Sequence, residues 1–426
     1  MKYSEIKDIL QSKLNQGADF AEVFLENKES TSIKLEDNKI EHVRYGTDCG
    51  AGVRTLIGDK TNYSYTNDTD FRPSNTPDDV SLEEKVKTLE MANKTARAVS
   101  DKVKQVTVTY MESLQHIHII NSEGLVVDDL RHRSRFAIHV IAADGSVIQT
   151  GFEAPGCSGG FLQVFNRNSA EELTLLAARR AVRMLDAPHA PAGEMPVVLL
   201  SEAGGTMVHE ACGHALEADF IMKEISVFND RLGKQIASPL ITVIDDGSIA
   251  GGFGSYKYDD EGNRSEKTVL IENGILKAFL TDRITAKALD LPISGNGRRE
   301  SFRHRPVPRM SNTYIDRGKD TAENIIRSVD KGLLVKRMGG GQVDVTNGEF
   351  VFEVSEGYLI ENGEVSTPVR GATIIGSGPK VLETVDMVAN DHHFQEGVCG
   401  KYDHAPVSDA QPTIRIPAII VGGRGS

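Results

Sequence analysis

Between Gly205 and Asp219 the chain carries His209, Glu210 and His214 within six residues, and their spacing restricts how the segment can fold. Two neutral imidazoles can hold Zn²⁺, and a carboxylate beside them can act as general base, which is the equipment of a metal-assisted hydrolase. The usual spacing for such a pair is H-E-x-x-H, one helical turn. Here three residues separate Glu210 from His214. At about 100° per residue, positions five apart lie about 140° apart around a regular α-helix, so both rings cannot face one ion. A π-bulge adds roughly one residue to a turn and brings His214 back beside His209. Gly213 eases that distortion. The pattern predicts a widened turn around Ala211 to Gly213, or no shared metal at all.

The neighbouring sequence gives this segment a rigid mounting. Val197 to Leu200 reads as a buried strand, Gly204-Gly205 as a turn, and the helix follows directly. A catalytic zinc site keeps three protein ligands and one open position. Cys212, Glu217, Asp219 and Cys399 are the candidates for the third ligand, and spacing alone favours Glu217 or Asp219. Glu210, next to the first histidine, is the candidate general base. Arg298, Arg299, His304 and Tyr314 are candidates for stabilising an oxyanion.

The rest of the chain reads as α+β in two domains, 1–190 and 191–426, divided at the Pro-rich linker Ala187 to Gly193. Apolar spacing predicts helices at 4–14, 82–99 and 169–184, the second opened by a Ser81/Glu84 capping box. Strands are expected at 21–25, 31–35, 40–44, 50–57, 62–65, 106–110, 115–120, 125–127 and 136–141. Residues 67–79 read as a polar loop. Helix followed by hairpins occurs twice, a hint of duplication. In the second domain Glu272-Asn-Gly274 and Glu361-Asn-Gly363 predict hairpin turns, 281–289 a short helix, 371–375 a further strand and 382–388 a helical turn, all within a mostly antiparallel β arrangement. His116 and His118 share a strand face, but nothing nearby completes a metal site. Tyr258-Asp-Asp-Glu-Gly262 is expected to be a solvated acidic turn rather than a Ca²⁺ or Mg²⁺ site, and Arg54 to be solvated. Gly339-Gly-Gly341 lacks the G-x-G-x-x-G pattern and no Walker lysine is present, which excludes nucleotide binding. These glycines instead allow a second backbone to come close.

Composition narrows the partners. A net charge of −13 over 426 residues argues against a nucleic-acid surface. No apolar run reaches the roughly 18 residues of a membrane span. The first residues show no signal-peptide core, and the four cysteines show no disulfide framework. The expected location is the cytoplasm.

His209 to Asp219 resembles the H-E-x-x-x-H signature of the TldD/PmbA metalloproteases. Cys399-Gly-Lys401, Gln411 to Ile416 and Gly422-Gly423 resemble that family's closing motif, and Gly295 to Arg299, Arg309 to Thr313 and Gly339 to Gln342 fit between. The likeness spans nearly the whole chain. It implies a zinc peptidase of the metal-bearing subunit type, with His209, His214 and Cys399 as ligands and Glu217 free to orient a histidine. A thiolate ligand makes the ion a milder Lewis acid than three imidazoles would. The likeness also implies peptides or unfolded polypeptides as substrate, held as an extended strand in the chamber of a dimer. The partner would be a second copy or a PmbA-like paralogue. Tyr402-Asp-His404 departs from the family pattern and leaves His404 as a competing ligand. Two other readings use the same residues: a metal-dependent hydrolase of a non-peptide amide, and a non-catalytic scaffold subunit of a protease dimer.

Overall fold

The computed structural model describes residues 1–58, 60–73, 80–344 and 346–423. The expected polar loop lies outside the described residues from 74 to 79. The chain is mixed α+β, and its sheets are built mainly from antiparallel pairs.

The first sheet comes from the N-terminal part. Helix α1 (Tyr3–Asn15) leads into β1 (Phe20–Glu36), β2 (Lys39–Ile57) and β3 (Lys60–Thr66). Helix α2 (Leu82–Ala98) leads into β4 (Val103–Asn121), β5 (Val126–Asp144), β6 (Val147–Glu153) and β7 (Gly156–Ser158). The strand order is β3-β2-β1-β4-β5-β6, with β7 on β5. A helix followed by a run of antiparallel strands therefore occurs twice, and the two runs meet where β1 pairs antiparallel with β4. Asp37 and Asn38 both take positive φ and reverse the chain between β1 and β2.

Strands expected as separate pieces at 21–25 and 31–35 are one strand. The polar residues between them do not interrupt pairing, since residues 26–30 stay in register with both β2 and β4. Glu26 is buried, and its carboxylate accepts hydrogen bonds from Gln115 Nε2 and the backbone N–H of Phe302, both at 2.7 Å. Helices α2, α3 (Phe161–Val164) and α4 (Ala170–Arg183) cover β4 and β5 through Leu89, Ala92, Val108, Ile138 and Ala177. Ser81 and Ser169 both close capping boxes, with Glu84 and Glu172.

The C-terminal part holds a closed barrel and a six-stranded sheet. The barrel runs Lys331–Val343, Gly193–Leu199, Ile414–Gly422, Thr373–Ser377, Glu349–Glu361 and back to Lys331–Val343, with Glu364–Val369 attached. The six-stranded sheet runs Ile275–Leu276, Lys267–Glu272, Val243–Asp246, Asn312–Ile315, His404–Gln411, His393–Gly400. Both Asn-Gly turns are present, with positive φ at Asn273, Gly274, Asn362 and Gly363. No helix of the described residues is long and apolar enough to cross a membrane.

Two expectations about charged residues are corrected. Arg54 is fully buried rather than solvated, between Glu22 at 2.7 Å and Glu261 at 2.6 Å. The acidic turn is also buried: Asp260 pairs with Arg131 at 2.7 Å, and Asp259 accepts the backbone N–H groups of Glu261, Asn263 and Gly297. Asp260 and Glu261 face Arg131 and Arg54 from the first sheet, and removing one partner of such a buried pair typically costs about 3–5 kcal/mol.

Candidate metal centre

The segment after the barrel strand Gly193–Leu199 is irregular where the spacing requires it. Thr206–Val208 is α-helical, His209–Gly213 is a π turn, and His214–Leu216 is a 3₁₀ turn. A Cβ on Gly213 would stand 2.2 Å from Met310 Sδ, so a larger residue would have to displace the Met310 side chain. The start of the segment is equally tight. A Cβ on Gly205 would lie 2.2 Å from the backbone nitrogen of Ala410.

The widened turn brings the two rings together. Their centroids are 4.9 Å apart, and both Nε2 atoms point at the sulfur of Cys399, at 3.3 Å from His209 and 3.2 Å from His214. Cys399 lies in the strand His393–Gly400, one residue from its end, rather than in a loop. One donor atom from each of the three residues falls within a span of 4.8 Å, and all three are buried. Burial pushes the Cys399 thiol up, but hydrogen bonds and charge from the two imidazoles outweigh this and bring it down to about 5. Burial lowers His214, yet Glu217 and Cys399 raise it to about 10; His209 is raised as well, against its burial, chiefly by Cys399. Without an ion, protons thus hold together a thiolate and two imidazoles. Zn²⁺ takes the same donor types in tetrahedral sites, so these residues fit that ion.

Carboxylates and cations surround the donors. Glu217 is fully buried and touches His214 Nδ1 at 3.0 Å and Lys401 Nζ at 3.0 Å. Burial raises its acid group, but Lys401 and His214 pull it down to about 2. Lys401 also donates to Asp219 Oδ1 at 2.5 Å. Arg309 donates to the carbonyl of Cys399 at 2.7 Å and to Asp403 Oδ1 at 2.5 Å, which fixes the backbone around the sulfur. Asp409 stands on the strand paired with that of Cys399, with Oδ2 3.7 Å from His209 Nδ1. Glu210 is half-buried on the π turn.

The other candidates fall elsewhere. Asp219 is engaged by Lys401 and Tyr402. Cys212 is buried with its thiol on the carbonyl of Val208, and burial pushes it up to about 12. His404 has a 68% exposed side chain and pairs with Glu300. Arg298 bonds the carbonyls of Met310 and Pro406, and Arg299 pairs with Glu22. His304 bonds Ser301, and Tyr314 packs its ring against His392 and Phe394. His118 pairs with Asp128. Asp409 and Arg309 carry no local spacing signal of their own, since each reaches the centre only through strand pairing or tertiary contact.

A cavity of about 680 Å³ separates the first sheet from the barrel, lined by Thr107, Thr109, His139, Gly339 and Gly340. A second, of about 300 Å³, shares Phe152, Arg337 and Gln395 with it. Gln395 is on the Cys399 strand.

Comparison with known proteins identifies the lineage. Sequence profiles of PmbA/TldA metallopeptidases match domain 1 at residues 21–96, the central domain at 75–185 and the C-terminal domain at 192–423. A metalloprotease TldD homolog of Haemophilus influenzae is 35% identical over 96% of this chain and 94% of its own. TldE from Thermococcus kodakarensis shares the fold at a TM-score of 0.78 and 20% identity, over 98% of this chain and 99% of that one. A Thermotoga maritima protein described as a candidate modulator of a DNA gyrase does so at 0.81 and 21% identity, over 99% of this chain and 100% of that one.

Proposed function

Because the chain belongs to the TldD/PmbA metallopeptidase family, we propose that it is a zinc-dependent peptidase acting on peptides or unfolded polypeptides. His209, His214 and Cys399 hold the ion, Glu210 is the general base, and Glu217 orients His214. The observation that carries this reading is the convergence of three buried donor atoms within 4.8 Å on a π turn. When bound there, zinc supplies a Lewis acid and lowers the pKa of water towards about 7. Glu210 takes the proton given up by the attacking water and delivers it to the departing amine nitrogen. Glu217 accepts from His214 Nδ1, which leaves Nε2 free as the donor.

An extended substrate is supported by the barrel strand Lys331–Val343. It pairs with Gly193–Leu199 only over Leu333 to Val335. Beyond that, Gly339 and Gly340 line the larger cavity, and the Cβ position of Gly340 is open. A peptide adding to that edge would be held by main-chain bonds, which tolerate many sequences. The division of the chain at residues 190 and 191 is supported by profiles that end at 185 and resume at 192. A dimer, with a second copy or a PmbA-like paralogue, and action in the cytoplasm belong to the same reading.

The test is zinc content together with cleavage of unfolded casein. About one zinc per chain, activity lost with a chelator and regained with zinc, is expected. A zinc-loaded chain that leaves unfolded polypeptides intact but hydrolyses a small amide would point to the non-peptide hydrolase. A chain that takes up no zinc would point to a scaffold subunit.

A further inference from the structure

We infer that Asp409 is a positioning residue for His209, the counterpart of Glu217 on His214, and that it ties the helix start to the Cys399 hairpin; this rests on the zinc reading above. The two histidines are backed differently. His214 Nδ1 already meets Glu217 Oε2 at 3.0 Å. His209 Nδ1 is buried without a hydrogen bond, and the group facing it is Asp409 Oδ2 at 3.7 Å. A buried imidazole nitrogen left unpaired is costly, so the gap marks a contact that shortens when Nε2 takes a metal in place of the proton lying between it and Cys399.

The carboxylate is aimed by its other oxygen. Asp409 Oδ1 accepts the backbone N–H of Gly205 at 3.0 Å, and Gly205 is the residue whose carbonyl accepts from the backbone N–H of His209 at 2.9 Å. One carboxylate thus holds the residue just before the helical segment and faces the ring that the segment carries. Its strand in turn pairs with the strand of Cys399, Ala405 opposite Cys399 and Asp409 opposite Gln395. The close approach at Gly205 leaves no room for a side chain on that path. A ligand histidine whose second nitrogen donates to a carboxylate has a fixed tautomer and a fixed ring plane, and loss of such a partner typically weakens metal binding by about 10–100-fold.

The experiment measures zinc affinity of the full chain by competition with a chromogenic chelator, for wild type, Asp409→Asn and Asp391→Asn. Asp391 serves Thr413 and contacts none of the three donor residues. The expected result is zinc binding about 10–100-fold weaker in Asp409→Asn, with a changed visible spectrum of the cobalt-substituted protein. Asp391→Asn is expected to match wild type in both. Wild-type zinc affinity and cobalt spectrum in Asp409→Asn would overturn the inference, even where the variant's metal-free melting temperature falls. Should Asp409→Asn not fold, nitrogen-15 histidine spectra of the zinc-loaded wild type decide. A proton on His209 Nδ1 protected from exchange is expected, and one exchanging as fast as that of an exposed histidine overturns the inference. Wild type that binds no zinc would remove the zinc reading as well, whereas wild type that binds zinc beside an unaffected Asp409→Asn removes this inference alone.

Discussion

The rings of His209 and His214 stand 4.9 Å apart with their planes at 88°, although five positions of sequence separate them. A regular helix would turn them about 140° from each other. The π turn at His209–Gly213 absorbs the extra residue, and the packing of Met310 against Gly213 occupies the space that a larger residue would need. The unusual spacing and the unusual backbone are thus one feature, and π turns gather at functional sites.

The role given to Glu210 can be tested without disturbing the ligands. Glu210→Gln keeps the size of the side chain and removes its capacity to take a proton. Zinc content should stay at the wild-type level, while peptide cleavage should fall by about 10²–10⁴-fold, the usual worth of a general base. Cleavage at the wild-type rate with zinc retained would take the role away from Glu210.

Cys399 and His404 make opposite predictions from neighbouring positions. The sulfur of Cys399 meets both imidazoles, whereas His404 points outward to Glu300. Cys399→Ser should lower zinc content and abolish peptidase activity while leaving the circular-dichroism spectrum intact. His404→Ala should change neither zinc nor activity. Full occupancy in the Cys399 variant, or zinc lost only in the His404 variant, would move the third ligand.

Local chemistry made much of this legible in the sequence, and tertiary contact hid the rest. The capping box at Ser81, the Asn-Gly turns and the widened turn at His209–Gly213 each depend on residues within one or two turns of chain, so spacing alone identifies them. Residues 21–25 and 31–35 read as separate strands because the partners of the polar stretch between them, such as Gln115 and Phe302 on Glu26, are far away in sequence. Arg54, Asp260 and Glu261 read as solvated for the same reason, since Arg54 meets Glu261 and Arg131 meets Asp260 across the two halves of the molecule. Spacing favours Glu217 or Asp219 over Cys399 as a ligand, because the strand that delivers Cys399 begins almost two hundred residues later. The family likeness, rather than local pattern, is what singles out Cys399.

Gly205 should tolerate no side chain. A Cβ there would stand 2.2 Å from the nitrogen of Ala410 and 2.5 Å from the carbonyl carbon of Asp409, both backbone atoms that cannot swing aside. Gly205→Ala is expected to lower the stability of the metal-free protein by about 1–3 kcal/mol, the usual cost of overpacking, and to weaken zinc binding by pushing the helix start off the Asp409 strand. Gly340→Ala, where the Cβ position is open, should stay within about 0.5 kcal/mol of wild type. Equal unfolding midpoints for the two variants in denaturant titrations would contradict the close approach.

The first sheet supplies a pH prediction independent of the metal. Glu112 lies under α2, with one oxygen 2.6 Å from Lys85 Nζ and the other 2.6 Å from His132 Nε2. Burial pushes this carboxyl up, but the hydrogen bonds from His132 and Lys85 and their charges bring it down to about 2, below its ordinary value of 4.5. A carboxyl depressed in the folded state adds stability above its unfolded pKa and loses that contribution as the pH falls through the folded value. The stabilisation from Glu112 should therefore be complete above about pH 4.5 and fade as the pH falls towards about 2. Glu112→Gln should cost about 1.5–3 kcal/mol at neutral pH, the worth of a hydrogen bond to a charged group. The difference from wild type should shrink steadily on acidification below pH 4.5. Urea unfolding of the metal-free protein at intervals from pH 7 to pH 3 measures it, and a difference that stays constant over that range would show that the ionised carboxylate is not what Lys85 and His132 hold.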